Sequence, residues 1–228
     1  MVWSWPTTAV ELEQEQLRLG ELAPEPWQPG SGELAIGGCF VCFQRGASGA
    51  GAAGEPAWAS AVIMVGSRVE AEATIGGAAG APYEPGLLAL RQGALLESAV
   101  RALPGLPEVL LVDATGRDHP RRCGLALHLG AALGVPTVGV THRPLDGVGA
   151  WPPDEAGRSS PLMLDGSVVG FWVRSRKGTR PLVAHSAWRT SADVAREILL
   201  RAVLYDRTPE PLRRARQVAR LARQAAGQ

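Results

Sequence analysis

Between residues 8 and 22 the chain reads TAVELEQEQLRLGEL, with Val10, Leu12, Leu17 and Leu19 set among charges after Thr7 and Thr8. That spacing predicts an amphipathic helix with a hydroxyl cap. Pro24, Pro26, Pro29, Gly30 and Gly32 then form a linker. The apolar run 34–43, LAIGGCFVCF, predicts a buried strand weakened by glycine. Residues 46–56, GASGAGAAGEP, are low in complexity and predict a flexible Gly/Ala hairpin loop. Strands follow over Trp58–Val65 and Val69–Ile75, completing an antiparallel meander.

The second half changes rhythm. Leu87, Leu88, Leu90, Leu95 and Val100 predict a helix over Gly86–Leu103. VLLV at 109–112 is too apolar for a half-exposed strand, and it ends in Asp113. Leu125, Leu129 and Leu133 share one helix face, and a strand over Pro136–Val140 follows. A strand–helix–strand unit of this length predicts parallel strands with a right-handed crossover. LMLDG, VVGFWVRS and PLVAH within 161–185 predict a further hairpin, and helices close the chain at 190–204 and about 209–224. The pattern is one α/β domain over residues 1–228, with a mixed sheet of meander and parallel βαβ flanked by helices.

Composition narrows the classes. Hydrophobic residues make up 46% and charged residues 20%, enough for a sizeable core and too apolar for general disorder. With 23 basic and 22 acidic side chains the net charge is +1, which excludes a polybasic binder but not a local basic stripe. Three cysteines are too few for a disulfide framework, and no run of apolar residues is long enough to span a membrane. The N-terminus lacks a secretory pattern. A cytoplasmic protein is expected.

Several residues are candidates for chemistry. Asp113 follows a fully apolar strand, where a carboxylate must be paired or bind a cation, which favours a functional role over a helix cap or turn former. His119, Arg121 and Arg122 in DHPRR stand where the next helix begins, as a capping loop or as contacts to an anion. Pro82 and Pro85 stiffen the turn around Tyr83, which either stacks on a base or plugs the core. Cys39 and Cys42 lie three apart on a strand and face opposite sides, so they read as buried thiols rather than a metal pair. His128 reads as a packed helix histidine. RSRKGTR at 174–180, with Arg213, Arg214, Arg216, Arg220 and Arg223 near the C-terminus, is either a solvated face or a phosphate-tracking stripe.

PYEPGLLALRQG (82–93), VDATGRDHPRRCGLALHLG with PTVGVTHRPL, then VVGFWVRSRKGTRPL, HSAWRTS and RTPEPLRRA occur in this order. Together they resemble the endonuclease V family, colinear from about Trp3 to about Arg223. The resemblance implies a ribonuclease H-like fold, and cleavage of DNA or RNA beside deoxyinosine or inosine with Mg²⁺ or Mn²⁺ held by acidic side chains. It implies nucleic-acid contacts at Tyr83, His119, Arg121 and Arg122. It also exposes departures. Where the family reads Gly-Val-Asp the chain reads Gly38-Cys39-Phe40, and the family's Arg-Glu is Arg91-Gln92. Val-Ala-Lys becomes Val140-Thr141-His142, and the histidine of Pro-Gly-His-Arg becomes Trp188. Asp113 is retained.

Mg²⁺ requires a hard oxygen shell and enough negative charge to offset its dehydration. Phe40 offers neither, and Gln92 offers a carbonyl oxygen without charge. Glu97 lies five residues beyond Gln92, about 140° further round a helix, which leaves Asp118 as the nearest substitute acid. No bound metal or other cofactor is expected. The leading expectation is a catalytically impaired, nucleic-acid-binding homologue of endonuclease V. The alternative is a repurposed, metal-independent enzyme acting on a small organic substrate, for example in specialised biosynthesis. It would use Asp113 and His142 as an acid–base pair in an apolar cleft between Phe40 and Trp188. A weak deoxyinosine-specific repair endonuclease is the third reading.

Overall fold

The computed structural model describes residues 4–44, 46 and 49–227. Helix α1 (Ala9–Glu21) begins at a capping box in which Thr8 accepts from the Glu11 N–H and Glu11 reaches back to the Thr8 N–H. Strands β1 (Ala35–Phe43), β2 (Pro56–Val65) and β3 (Arg68–Ala78) form the antiparallel meander. Helix α2 (Leu88–Arg101), β4 (Val109–Val112), α3 (Leu125–Leu133) and β5 (Thr137–Thr141) follow. β6 (Ser159–Leu164), β7 (Ser167–Val173) and β8 (Leu182–Ser186) are a second meander of three strands, one more than a hairpin. Helices α4 (Ala192–Ala202) and α5 (Glu210–Ala225) complete the chain.

All eight strands lie in one sheet of order β3-β2-β1-β4-β5-β8-β7-β6. β4 is parallel to both β1 and β5, and β8 joins β5 antiparallel. The four residues of β4 show why the run VLLV lacks a polar face. Leu110 and Val112 enter the core beneath α2 and α3, whereas Val109 and Leu111 enter the core beneath α4. A central strand covered on both sides must be apolar at every position. Helix α3 is buried on almost every side and stops at Gly134, whose φ of 71° is a left-handed cap.

On the opposite face α5 lies close against β1 and β2 because its buried surface is built from small residues. Ala215 and Ala219 are fully buried, and Ser60 Oγ donates to the Ala215 carbonyl at 2.5 Å. A Cβ at Gly38 would collide with the Pro211 carbonyl, so glycine on β1 lets this helix dock. That close approach places arginines of α5 at the ends of β1 and β4.

Of the expected 46–56 loop, residues 47 and 48 fall outside the described residues. Its second half is pinned: the Gly54 N–H donates to the Ala79 carbonyl, and Glu55 pairs with Arg91 at 2.6 Å. Both side chains of that pair are over nine-tenths buried. Arg91 also lies 3.9 Å from the Phe43 ring centroid and donates to the Ala81 carbonyl at 2.8 Å.

Candidate functional site

Cys39 pairs with Val112 across the parallel β1–β4 ladder, so the next residues, Phe40 and Asp113, are neighbours at the strand ends. Gln92 reaches the same place from α2. Phe40, Gln92 and Asp113 line one cavity of about 210 Å³. The structure therefore brings together three of the positions singled out in the sequence.

Arg216 of α5 also reaches this point. Its guanidinium lies 3.2 Å from the Asp113 carboxylate and 5.1 Å from the centroid of the Phe40 ring. Phe40 itself packs towards α5, against Val62, Met64 and Ala215. A cation of the protein's own thus covers the retained carboxylate. Among the described residues no three His, Cys, Asp or Glu side chains come together as a possible metal site.

His142 is exposed, and its Nδ1 lies 3.0 Å from an Arg207 nitrogen. Partial burial and the neighbouring Arg207 lower its pKa, while Asp113 opposes them. Asp113 and His142 are each engaged by a different arginine, not by one another, so the expected acid–base pair is not formed.

Trp188 departs further from expectation. Its N–H donates to Thr137 Oγ1 at 3.1 Å, and Thr137 opens β5. Phe40 and Asp113 stand at the other, carboxyl end of the parallel strands. Trp188 packs into the core near Gly130, so no Phe40–Trp188 cleft exists.

A second cavity, of about 260 Å³, shares Asp113 and Leu88 with the first. Tyr83, Gly86, His119, Leu125 and Thr141 contribute to its walls. Tyr83 is 51% exposed, and its N–H is held by the Ala50 carbonyl at 2.7 Å. It is presented at the cavity mouth and is not a plug.

His119, Arg121 and Arg122 are each engaged by other parts of the scaffold. Gly86 turns the chain at a φ of 80°. Its carbonyl accepts from Gln16 Nε2 at 2.9 Å and lies 3.0 Å from His119 Nε2. His119 Nδ1 accepts the Arg121 N–H at 3.2 Å, which fixes the Nε2–H tautomer. Burial lowers its pKa, so the ring is neutral. Arg121 donates to Gln16 Oε1 at 2.7 Å, and Arg122 pairs with Asp165 at 2.8 Å. The histidine expected to contact phosphate spends both ring nitrogens on holding the Tyr83 turn.

The arginine-rich segments divide in the same way. Arg174 is buried and donates to the carbonyls of Pro152 and Thr179, and Arg214 pairs with Glu72 at 2.8 Å. Arg213, Arg216 and Arg220 line a groove of about 450 Å³ along α5. Cys39 and Cys42 face opposite sides of β1, towards the Leu111 and Ala219 carbonyls respectively. Glu97 accepts from Trp5 and Arg101, away from Gln92.

Sequence reasoning named Asp118 only as a substitute acid for a metal and overlooked its buried neighbour His185, which lies behind Thr141 of the second cavity. Asp118 accepts the N–H groups of Leu145, Asp146 and Gly147. His185 Nδ1 lies 3.4 Å from Asp118 Oδ2, and His185 Nε2 lies 2.7 Å from Thr141 Oγ1. Asp118 and His185 are wholly buried. The histidine in the short strand β8 was the one available signal.

An eight-stranded mixed sheet with helices on both faces, carrying its cavities at the carboxyl ends of β4 and β5, defines an α/β protein of the ribonuclease H-like class. The family model "Endonuclease V" matches residues 35–217, and the chain belongs to the endonuclease V family. It is 41% identical to the endonuclease V of Methanopyrus kandleri over 170 residues, covering 73% of each chain. It is 43% identical to that of Thermus thermophilus over 136 residues, covering 59% of this chain and 60% of the relative. The crystal structure of the Streptomyces avermitilis endonuclease V superposes with a TM-score of 0.86 at 32% identity, covering 99% and 97% of the two chains. The Ciona intestinalis endonuclease V, solved with DNA containing an inosine, shares the fold at a TM-score of 0.80 and 20% identity, covering 95% and 98%. Among the described residues no helix is long and apolar enough to cross a membrane.

Proposed function

We propose that this member of the endonuclease V family binds nucleic acid at the Tyr83 cavity and does not cleave it by the metal-dependent route. The observation that carries the reading is Arg216, whose guanidinium pairs with Asp113 and lies over Phe40. A divalent cation at this position would meet one carboxylate, one amide, an apolar ring and a fixed positive charge. That donor set does not fit Mg²⁺ or Mn²⁺, which need several oxygens and net negative charge.

Support for binding comes from the other cavity. Tyr83 stands half-exposed on a turn braced by Gln16 and His119, and aromatic faces held this way stack on unpaired bases. In the groove along α5 Arg213 and Arg216 are held by Glu210 and Asp113, and Arg220 adds positive charge beside them. The Ciona relative's inosine-containing DNA suggests the ligand to test first.

The test is a labelled oligonucleotide carrying one inosine, followed by fluorescence anisotropy at low salt and by gel electrophoresis with Mg²⁺ or Mn²⁺. Binding without nicking is the expected result. Nicking that disappears in Asp113→Ala would restore the weak-endonuclease reading, and absence of binding at low salt would remove the nucleic-acid reading.

A further inference from the structure

The 210 Å³ cavity at the carboxyl ends of β1 and β4 carries hydrogen-bonding groups that the chain itself does not use. Its polar side chains are Gln92 and Asp113, while Cys39, Phe40, Val41, Leu88 and Leu96 form the rest of the wall. Gln92 is half-buried, and among the described residues nothing hydrogen-bonds to its amide. Asp113 is engaged at Oδ2 alone, by Nη2 of Arg216, which leaves Oδ1 as an acceptor. Arg216 keeps its Nε and Nη1 donors at the same corner.

Charge decides what such a site can take. Asp113 and Arg216 cancel, and Gln92 is neutral, so the cavity has no net charge to offset the desolvation of an ion. The Cys39 thiol is wholly buried, and burial beside Asp113 pushes its pKa up, so it remains protonated and adds no charge. An uncharged ligand is favoured. Its edge must match four groups: a primary amide offers an acceptor and donors side by side, a carboxylate only accepts, and a guanidinium only donates. A ring bearing N–H beside C=O, twice over, is the complement. Its carbon body would lie against Val41, Leu88 and Leu96. The volume is below the about 300–1,000 Å³ of pockets for drug-sized molecules, which limits the occupant to one small ring system.

We propose that the Gln92–Asp113 cavity binds a small, uncharged cyclic amide, a lactam or cyclic ureide. The Gln92 amide pairs with an N–H and C=O of the ring, Asp113 Oδ1 accepts a second N–H, and Arg216 donates to a second C=O. The Asp113–Arg216 pair stays intact, so binding requires no new buried charge. Neither Tyr83 nor Arg220 takes part, and the inference does not depend on oligonucleotide binding. The two cavities meet at Asp113 and Leu88, so the test has to report where the ligand sits.

The full chain, labelled at its Leu and Val methyl groups, is titrated with 5,5-dimethylhydantoin and followed by NMR. Shifts at Val41 and Leu96, with a dissociation constant of about 1 mM or below, are expected. The N-methylated analogue 1,3,5,5-tetramethylhydantoin, which has no N–H, should leave those methyls in place. Gln92→Leu should weaken binding about tenfold, since two hydrogen bonds of the ring are lost. Uridine presents the same kind of edge on a ribose: shifts at Val41 and Leu96 would mark a nucleoside-borne ring as the ligand, and their absence a free ring. Silence of Val41 and Leu96 towards 5,5-dimethylhydantoin would overturn the proposal. So would shifts at Leu125 and Leu145 of the other cavity instead, an equal response to the N-methylated analogue, or full affinity in Gln92→Leu. Should the methyl spectrum of Gln92→Leu show a disturbed fold, the N-methylated analogue decides alone, because it tests the same hydrogen bonds on the native chain.

Discussion

Arg216 reaches 3.2 Å from Asp113 and so joins the last helix of the chain to the carboxyl end of its central strand. Both side chains are partly exposed, at 26% and 34%, so the pair contributes little to stability. Its effect is on ligand choice. The carboxylate that a cation would seek is already neutralised, and Phe40 closes the neighbouring position.

Replacing Arg216 by alanine is therefore expected to cost less than about 1 kcal/mol in urea denaturation. The variant should still bind Mn²⁺ no better than the native chain, because Phe40 and Gln92 supply too little negative charge. Combining Phe40→Asp, Gln92→Glu and Arg216→Ala should create Mn²⁺ binding visible by electron paramagnetic resonance. Tight Mn²⁺ binding by the native protein would show that the arginine is displaced.

Much of the fold was legible because burial dictates residue type. VLLV has to be a doubly covered strand, and the observed β4 spans those four residues. The stiffness of the turn was legible from Pro82 and Pro85, which leave it few conformations, but whether Tyr83 is presented or buried was not. Trp188 shows the limit. A motif gives the order of residues but not which end of a strand they occupy. Because β8 runs antiparallel to β5, the segment after it returns to the start of β5, remote from Asp113. His185 was hidden for another reason. A buried histidine in a short strand looks like core until its neighbours, Asp118 and Thr141, arrive from other segments.

The buried pair of Arg91 and Glu55 should dominate the stability of the β1–β2 connection. Arg91→Met leaves Glu55 buried without its partner and is expected to cost about 3–5 kcal/mol. Adding Glu55→Gln should recover part of that loss, because the uncompensated charge is removed. Urea midpoints of the two variants measure this. Equal destabilisation by both would mean that packing against Phe43, rather than charge, sets the cost.

His128 gives the fold a pH dependence. Its ring is buried, stacks on Trp5 at 4.5 Å, and burial depresses its pKa to about 4. The unfolded chain binds this proton near pH 6.5 and the folded chain only near 4, so stability is full above 6.5 and falls as pH drops through that window. The loss attributable to this group approaches about 3 kcal/mol at the acid end. His128→Phe keeps a ring against Trp5 and should reduce the slope of stability between pH 6.5 and 4, leaving the part due to the buried His185, whose pKa is also lowered to about 4. An unchanged slope would assign the acid sensitivity to other groups.

Tyr83 and His119 stand at one turn and should separate cleanly in experiment. Tyr83 is half-exposed, so Tyr83→Ala is expected to change stability by no more than about 0.5 kcal/mol. If its ring stacks on a base, the same change weakens oligonucleotide binding by about 1–3 kcal/mol and removes any preference for an inosine or an unpaired base. His119 is buried and joins the Gly86 carbonyl to the Arg121 N–H. His119→Ala strands the Arg121 N–H and is expected to cost about 1–3 kcal/mol of stability. It should weaken binding only by loosening the turn, so a structural rescue such as added osmolyte should recover affinity for His119→Ala and not for Tyr83→Ala. Paired melting curves and anisotropy titrations read both quantities on the same samples. Loss of affinity in His119→Ala with full stability would mean that the imidazole meets the ligand directly, and the scaffold role assigned to it here would fall.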